Sequence, residues 1–212
     1  MSFEIGKRFI ILRSSEPRYS GQRIPVILGP GRAFGSGEHE TTRSCLEEME
    51  HIPVFPDSKV LDLGCGTGIL SIAAAKMGAQ SITALDPNPK AITTTISNIQ
   101  LNRVEKIVHP LQGELGALDR EHFDLIMANL YGDIILTLAD MFPSFLRPGG
   151  HLLLSGIQYD YSYEARAAIT NSGFQLLKSK YLEEYITLIF KKSQMVNQAK
   201  LKKNRALRHE IR

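Results

Sequence analysis

Hydrophobic and polar positions follow two different periods along the chain, and from Lys59 onward the two periods alternate. Short runs rich in β-branched residues give way to longer amphipathic stretches, a pattern typical of successive βα units and a mostly parallel sheet. The pattern predicts five strands, at Lys59–Gly64, Ser81–Asp86, Lys106–Leu111, Phe123–Leu130 and His151–Ser155. Helices are predicted at Ile69–Met77, Asn88–Leu101, Ile134–Phe145 and Tyr163–Asn171, and a turn at Arg147–Gly150.

The end of the chain departs from this alternation. Phe174–Leu182 and Tyr185–Lys191 have the composition of strands and are separated by only two glutamates. Because a helical crossover needs a dozen or more residues, these strands are predicted to form an antiparallel hairpin at the edge of the sheet. The expected fold class is therefore α/β, with a mostly parallel seven-stranded sheet, a C-terminal antiparallel hairpin and helices on both faces.

The N-terminal part is organised differently. A pair of strands is predicted at Arg8–Leu12 and Ile24–Leu28, followed by a glycine-rich loop and a helix near Thr42–Met49. We therefore divide the chain into three segments. Residues 1–50 carry these two strands, which we name the linker strands, the glycine-rich loop that begins at Gly29, which we name the lid loop, and the first helix. Residues 51–192 form the core of the chain, and residues 193–212 form a basic tail.

Composition argues against several classes of protein. No apolar run approaches the roughly 18 residues that cross a bilayer, and the first residues lack the apolar region of a signal peptide. We therefore expect a cytoplasmic protein without membrane contact. The two cysteines, Cys45 and Cys65, form no Cys-x-x-Cys pattern, and the six histidines are scattered. Neither a disulfide framework nor a bound metal is expected.

The formal net charge of +3 hides an uneven distribution of charge along the chain. Residues 191–212 hold eight Lys and Arg against one acidic residue, and residues 1–32 hold six against two. Residues 33–190 hold 11 basic and 19 acidic residues, so the middle of the chain is acidic. The basic tail is either a solvated end or a weak contact with RNA.

The strongest chemical signal is the turn that follows the first core strand. It has the form Asp-x-Gly-x-Gly-x-Gly over Asp62–Gly68, and Asp86 lies 20 residues beyond Gly66 at the end of the next strand. Glycines let a ligand approach the backbone, and a carboxylate at position 86 can accept hydrogen bonds from both hydroxyls of an adenosine ribose. Asp62 suits the ammonium of an amino-acid tail better than a pyrophosphate, which favours S-adenosylmethionine over NAD.

Two further segments carry candidate chemistry. Gly29–Thr42 is glycine-rich around Phe34, which indicates either a mobile loop over a ligand or a plain surface loop, with Thr41 or Thr42 capping the next helix. Asn129–Tyr131 ends the fourth core strand, at the edge where open α/β sheets bind ligands. The asparagine there is predicted to be either a site residue or a helix cap.

These segments together resemble the class I S-adenosylmethionine-dependent methyltransferases, which have a Rossmann-like fold, and within them the ribosomal protein L-eleven methyltransferase (PrmA) family. Family hallmarks are a Phe-Gly-Thr-Gly-x-His-x-Thr-Thr loop, the acid-and-glycine turn, and an Ala-Asn-(Ile/Leu) strand end. They match Phe34–Thr42, with Ser36 in place of the usual threonine, Asp62–Gly68 and Ala128–Leu130. The resemblance runs from about Gly6 to Lys191 and includes Leu154–Ile157.

The resemblance also implies residue roles. The family's cofactor contacts fall on Thr42, Gly64, Asp86 and Asn129. The family carries an N-terminal substrate-recognition domain, and this chain is expected to begin at the linker that follows that domain.

We therefore expect a methyltransferase that uses S-adenosylmethionine to methylate an amino group of a protein, a ribosomal protein by resemblance. The expected catalytic residues are Asn129, which orients the amine, and Tyr131, which walls the site. The expected cofactor-binding residues are Phe34, Thr42, Asp62, Gly64, Gly66, Asp86 and Asn129. The alternatives are a small-molecule N- or O-methyltransferase, a catalytically silent cofactor-binding module docked to a ribosomal or RNA partner, and an NAD-dependent enzyme.

Overall fold

The computed structural model of the chain describes residues 2–15, 19–31, 33–53, 57–119 and 122–194. Near the N-terminus a small sheet has the order β1-β2-β3, with β1 at Phe3–Ile5, β2 at Phe9–Arg13 and β3 at Ile24–Leu28. β1 and β2 are antiparallel, whereas β2 and β3 are parallel. The two predicted strands are confirmed within one residue, and β1 is an additional strand that the pattern did not predict.

The main sheet has seven strands in the order β6-β5-β4-β7-β8-β10-β9. They are β4 Lys59–Leu63, β5 Ser81–Asp86, β6 Val108–Gln112, β7 Phe123–Asn129, β8 Leu146–Gln158, β9 Phe174–Tyr181 and β10 Tyr185–Lys192. The first five pair in parallel, and β10 is antiparallel to both β8 and β9. The predicted sheet and hairpin are confirmed, with β9 rather than the final strand at the edge.

Helices cover both faces of the main sheet, as predicted. They are α1 Glu40–Met49, α2 Ile69–Met77, α3 Pro89–Asn102, α4 Gly132–Leu138, α5 Phe142–Phe145 and α6 Tyr159–Asn171, with a 3-10 turn at Leu115–Ala117. Side chains alternate across a strand, so in β4 Val60 faces the core that contains α1 to α3, whereas Leu61 and Leu63 face the core of α4 to α6. The small sheet shares the first of these cores.

Two predicted elements need correction. The single helix expected over Ile134–Phe145 is two helices, because Pro143 has no amide hydrogen and lies in the first turn of a new helix, α5. The turn expected at Arg147–Gly150 lies inside β8, which begins at Leu146. The pairing of β7 with β8 shifts its register there, so a proline and two glycines fit into the strand as an irregularity.

The structure does not test the predictions made for the basic tail and for the division of the chain into segments. Most of the predicted basic tail, residues 195–212, lies outside the described residues, and the division into three segments stays a prediction. In the described part of the chain, no helix is long and apolar enough to cross a membrane. The same part contains no group of three or more His, Cys, Asp or Glu side chains that could hold a metal ion.

Candidate functional site

A cavity of about 740 Å³ opens at the carboxyl edge of the main sheet, where β4, β5, β7 and β8 end. The order of strand addition reverses here: β5 and β6 are added on one side of β4, whereas β7 and β8 are added on the other. Ligands of open α/β sheets bind at such a position. The residues lining the cavity are Ala33, Phe34, His39, Thr41, Gly64, Gly66, Asp86, Pro87, Asn88, Lys90, Ala91, Thr94, Asn129, Leu130, Tyr131, Ile134, Gly156 and Tyr185.

The glycine turn after β4 forms the floor of this cavity. Gly66 has a φ of +56° and faces the backbone of the lid loop so closely that a Cβ there would overlap the carbonyl oxygen of Phe34. The same oxygen accepts a hydrogen bond from the Thr67 backbone N–H at 2.9 Å, and the Thr67 hydroxyl donates to the Gly35 carbonyl at 2.6 Å. Glycine is therefore required at position 66 for the turn and the lid loop to pack together.

Asp86 ends β5, as predicted, and it lies beside the glycine turn and lines the cavity. Its Oδ2 accepts a hydrogen bond from the Gly66 backbone N–H at 3.0 Å, and its Oδ1 accepts one from the Asn88 N–H at 2.9 Å. Each carboxylate oxygen has a further lone pair, so the side chain can fix the turn and still accept hydrogen bonds from a ligand. Asn88 in turn caps α3 by accepting from the Lys90 N–H.

A stripe of buried polar side chains on α3 joins the glycine turn to the start of the lid loop. Thr95 donates to the Gly66 carbonyl at 2.9 Å, and the Asn98 amide donates to the Thr67 carbonyl at 2.8 Å. The Asn98 side-chain oxygen accepts from the Gly29 N–H at 2.8 Å. These residues were not predicted: polar side chains on the buried face of an amphipathic helix indicate that they have partners, but not which ones.

The lid loop ends at His39, which caps α1 by accepting from the Thr41 N–H. This corrects the expectation that Thr41 or Thr42 is the cap, because both threonines lie inside the helix. The His39 ring also packs edge-on against the rings of Phe34 and Tyr185, each with a centroid distance of 5.3 Å. These three aromatic rings form one wall of the cavity.

Asn129 lies at the end of β7, on the opposite side of the cavity from α3. Its amide donates to the Thr42 hydroxyl at 3.3 Å, whereas its side-chain oxygen is buried and has no hydrogen-bond partner among the described residues. A Cβ on Gly156 would lie 3.0 Å from that oxygen, so the absence of a side chain at 156 keeps the space beside it open. Tyr131, two residues further on, is 63% exposed.

Asp62 and Thr42 are not among the residues that line the cavity. Asp62 is almost fully buried, and its Oδ2 accepts hydrogen bonds from the Ser71 N–H at 3.0 Å and the Ser71 hydroxyl at 2.6 Å. Burial raises the pKa of this carboxyl from 3.8 to about 6. Asp62 therefore supports the first turn of α2 in this structure, and its role in binding a ligand stays a prediction.

The two cysteines are buried and carry no sign of chemical reactivity. Burial raises the pKa of the Cys45 thiol to about 12 and raises that of Cys65 as well. Because the thiolate is the reactive form, neither side chain suits a nucleophile at neutral pH.

The structure thus brings together Phe34, Gly64, Gly66, Asp86, Asn129 and Tyr131 around one cavity. Thr42 and Asp62 do not line the cavity: Thr42 accepts a hydrogen bond from the Asn129 amide, and Asp62 accepts one from the Ser71 N–H at the start of α2. His39 and Tyr185 were not among the predicted site residues. His39 belongs to the loop motif of the family but was assigned no role, and a tyrosine that opens the final strand carries no local signal of a site.

The family model of the ribosomal protein L11 methyltransferases (PrmA) matches residues 2–193. The chain belongs to this family. The ribosomal protein L11 methyltransferase of Herpetosiphon aurantiacus is 35% identical over 209 residues, covering 89% of this chain and 65% of that protein. The Bacillus subtilis protein of the same name is also 35% identical, over 193 residues that cover 89% of this chain and 61% of that protein.

A solved structure supports the same relationship. The crystal structure of the ribosomal protein L11 methylase from Lactobacillus delbrueckii subsp. bulgaricus superposes with a TM-score of 0.83 at 29% identity, over 91% of this chain and 98% of that chain. The chain spans about six tenths of the length of the curated relatives that it matches. Family membership therefore rests on the part of those relatives that this chain shares.

Proposed function

We propose that this chain carries the catalytic site of an S-adenosylmethionine-dependent methyltransferase that methylates an amino group of a protein. The observation that carries the proposal is the pairing of two features in one cavity. A backbone cradle beside Asp86 lies on one side, and the unpaired, buried side-chain oxygen of Asn129 lies on the other. A nucleoside ligand fits the first feature, and a methyl-accepting group that donates a hydrogen bond fits the second.

The residues of the cradle fit the proposed cofactor. Asp86 would accept hydrogen bonds from the ribose hydroxyls, and the absence of side chains at Gly64 and Gly66 would let the ligand lie against the backbone. Phe34 lines the cavity from the lid loop and would help to exclude water. When bound, S-adenosylmethionine supplies a methyl group on a sulfonium that is already a good electrophile.

On the acceptor side, Asn129 would orient the incoming amine. Its unpaired oxygen can accept one N–H of a neutral amine, which fixes the direction of the nitrogen lone pair. Thr42 accepts from the amide of Asn129 and so determines which end of that amide faces the cavity. A carboxamide oxygen is not a base and cannot take a proton from an ammonium group, so the amine must react in its neutral form. Desolvation in the cavity lowers the pKa of an amine and so favours the neutral form.

A ribosomal protein is the proposed substrate, because that is what the names of the relatives state for those proteins. The reaction would then take place in the cytoplasm. The basic residues of segment 193–212 would add a weak contact with RNA near the substrate. No metal is proposed, because the positioning groups of the cavity suffice for transfer from an activated methyl donor.

The test is methyl transfer from a radioactive donor to proteins of a bacterial lysate and to purified ribosomal proteins. We expect labelled protein, and about 30-fold slower labelling with the Asn129→Ala variant at the same concentration. Label in small solutes alone would indicate a small-molecule methyltransferase. Binding of S-adenosylhomocysteine without any turnover would indicate a silent cofactor-binding module, and calorimetric binding of NAD instead would contradict the cofactor assignment.

A further inference from the structure

Three segments border the acceptor side of the cavity, and apart from Tyr131, which is expected to wall the site, their residues have no role in the proposed chemistry. We name residues 131–134, 159–163 and 181–185 the acceptor rim. The pairing of Tyr185 with Gln158 brings the β9–β10 turn beside the end of β8, and α6 begins at that end. Tyr131, Ile134 and Tyr185 line the cavity itself, so the rim is continuous with the site.

The composition of the acceptor rim is unlike that of the rest of the chain. Six of the seven tyrosines fall within these 14 residues, together with four carboxylates and no Lys or Arg. The acidic side chains are those of Asp133, Asp160, Glu183 and Glu184, and all four residues are exposed. The rim therefore concentrates aromatic surface and negative charge at the mouth of one cavity.

The tyrosines of the rim present aromatic surface to solvent. Tyr131 is 63% exposed, Tyr163 76% and Tyr181 60%. Tyr159 packs against Tyr181 with a centroid distance of 6.2 Å, and its hydroxyl donates to the Leu182 carbonyl, so this part of the surface is held in place. Exposed aromatic rings are enriched at protein interfaces and attract cations to their faces.

The negative charge of the rim is not neutralised in the described part of the chain. None of its four carboxylates has an ion-pair partner there, whereas Glu47 and Glu48 on α1 pair with Lys180 and Lys178 of β9. Arg166 on α6 contacts the rim, but it donates to the Tyr181 hydroxyl and the Ser162 carbonyl and not to a carboxylate of the rim. Uncompensated charge at the mouth of a cavity favours a ligand of opposite sign.

The β9–β10 turn that carries two of these charges has a fixed backbone. The Glu40 carboxylate at the start of α1 accepts hydrogen bonds from the Glu183 N–H at 2.7 Å and the Glu184 N–H at 3.0 Å. The side chains of both glutamates therefore project from an anchored turn directly before Tyr185, which lines the cavity. Replacing these two side chains leaves the backbone bonds intact.

We propose that the acceptor rim binds a lysine- and arginine-containing segment of the protein whose amine enters the cavity. The proposal rests on the proposed function for the identity of the acceptor. Its support is charge complementarity: four carboxylates without an ion-pair partner in the described part of the chain, together with exposed tyrosine faces, lie in segments that also contribute residues to the lining of the cavity. An acidic surface also discriminates between two kinds of partner, because it attracts a cationic peptide segment and repels the phosphates of RNA.

The experiment measures binding separately from methyl transfer. A fluorescent peptide with one central lysine flanked by lysine and arginine is titrated with the protein saturated with S-adenosylhomocysteine, and anisotropy is recorded. The Glu183→Gln/Glu184→Gln variant is expected to bind about fivefold more weakly, and raising the salt concentration is expected to erase the difference. A peptide whose flanks are glycine and serine should bind equally weakly to both proteins.

The matched control removes two exposed carboxylates from the opposite edge of the sheet. Asp57 and Glu105 precede β4 and β6, so Asp57→Asn/Glu105→Gln changes the net charge by the same amount away from the rim. Equal weakening in both variants, or none in either, would overturn the proposal. If the rim variant alone weakens binding but no protein transfers methyl groups, the rim proposal stands and the proposed function fails.

Discussion

The two sides of the cavity differ in how completely their polar groups are paired. On the cofactor side, Asp86, Thr67 and Asn98 form hydrogen bonds that join β5, the glycine turn, α3 and the lid loop to one another. On the acceptor side, the Asn129 side-chain oxygen has no hydrogen-bond partner in the part of the chain that the structure describes, and Tyr131 is largely exposed. One side is already assembled, whereas the other leaves its interactions to an incoming group.

The difference indicates what each side recognises. A preorganised cradle loses little conformational entropy when its ligand binds, which suits a small cofactor that returns in every turnover. A buried oxygen without a hydrogen-bond partner costs free energy until the amine that receives the methyl group donates a hydrogen bond to it. The interaction therefore forms only when the substrate arrives and the reaction can begin. Substitutions on the first side should therefore affect cofactor affinity, and those on the second side should affect turnover.

The largest effect is expected for Gly66→Ala, which tests the assembled side. The added Cβ would overlap the Phe34 carbonyl, so the turn and the lid loop must separate, and S-adenosylhomocysteine affinity should fall by about 1000-fold. Calorimetry measures this loss. Gly78→Ala is the control: its φ of +109° is strained for alanine, but no atom of the described residues lies within 4 Å of the new Cβ. It should lose stability and keep its affinity.

Asp86→Ala should weaken cofactor binding by about 100-fold. The substitution removes charge-assisted hydrogen bonds to the ligand and releases the Gly66 and Asn88 N–H groups that the carboxylate now holds. Titration calorimetry of each variant with S-adenosylhomocysteine gives the change. Glu114→Gln, an exposed carboxylate just beyond β6, should behave as the wild type. Unchanged affinity in Asp86→Ala would mean that the cradle binds something else.

Asn129→Ala should lower kcat by about 30-fold and change cofactor affinity by less than about fivefold. The lost oxygen orients the acceptor mainly in the transition state, which is why the two quantities separate. Thr42→Val should reproduce part of the loss in kcat, because it removes the acceptor for the Asn129 amide, whereas Thr42→Ser should not. Full turnover with selectively weakened cofactor binding would mean that Asn129 belongs to the cofactor side of the cavity and not to the acceptor side.

The smallest effect on affinity, within about threefold, is expected for Asp62→Asn, since Asp62 does not line the cavity. Its effect appears in stability instead. The pKa is 3.8 unperturbed and about 6 when folded, so between these values the native state holds more protons than the unfolded one. The free energy of unfolding therefore falls as pH rises through this window, by about 3 kcal/mol in total from this residue.

The Asp62→Asn variant lacks this titration, so the difference in stability between the two proteins should change steadily from about pH 4 to pH 6. Urea unfolding at a series of pH values measures it. Parallel pH profiles would mean that the buried carboxyl titrates as it does in the unfolded chain.

How far the sequence predicts the structure depends on the range of the interactions involved. The core strands and the turn after β4 were predicted because their signals are local: apolar runs, β-branched residues and glycines within a few positions. Asp86 was predicted because one βα unit fixes its distance from the turn. The break before α5 was missed, since periodicity continues across Pro143 and conceals the end of α4.

The features that were missed depend on contacts between distant segments. Asn98 joins Thr67 to Gly29, 31 and 69 residues away along the chain. No local pattern indicates that a helical asparagine has such partners. The insertion of β10 between β8 and β9 is of the same kind, because hairpin spacing predicts that two strands pair but not which of them lies at the edge.

The order of the sheet also has a consequence for synthesis of the protein. β8 and β9 leave the ribosome before β10, yet β10 is the strand that separates them in the sheet. Until Lys192 has emerged, the nascent chain exposes the edge of β8 and leaves Ile186, Leu188 and Phe190 out of their core. This half of the sheet is therefore completed last, and a pause in translation before position 192 would leave an open strand edge for other chains to pair with.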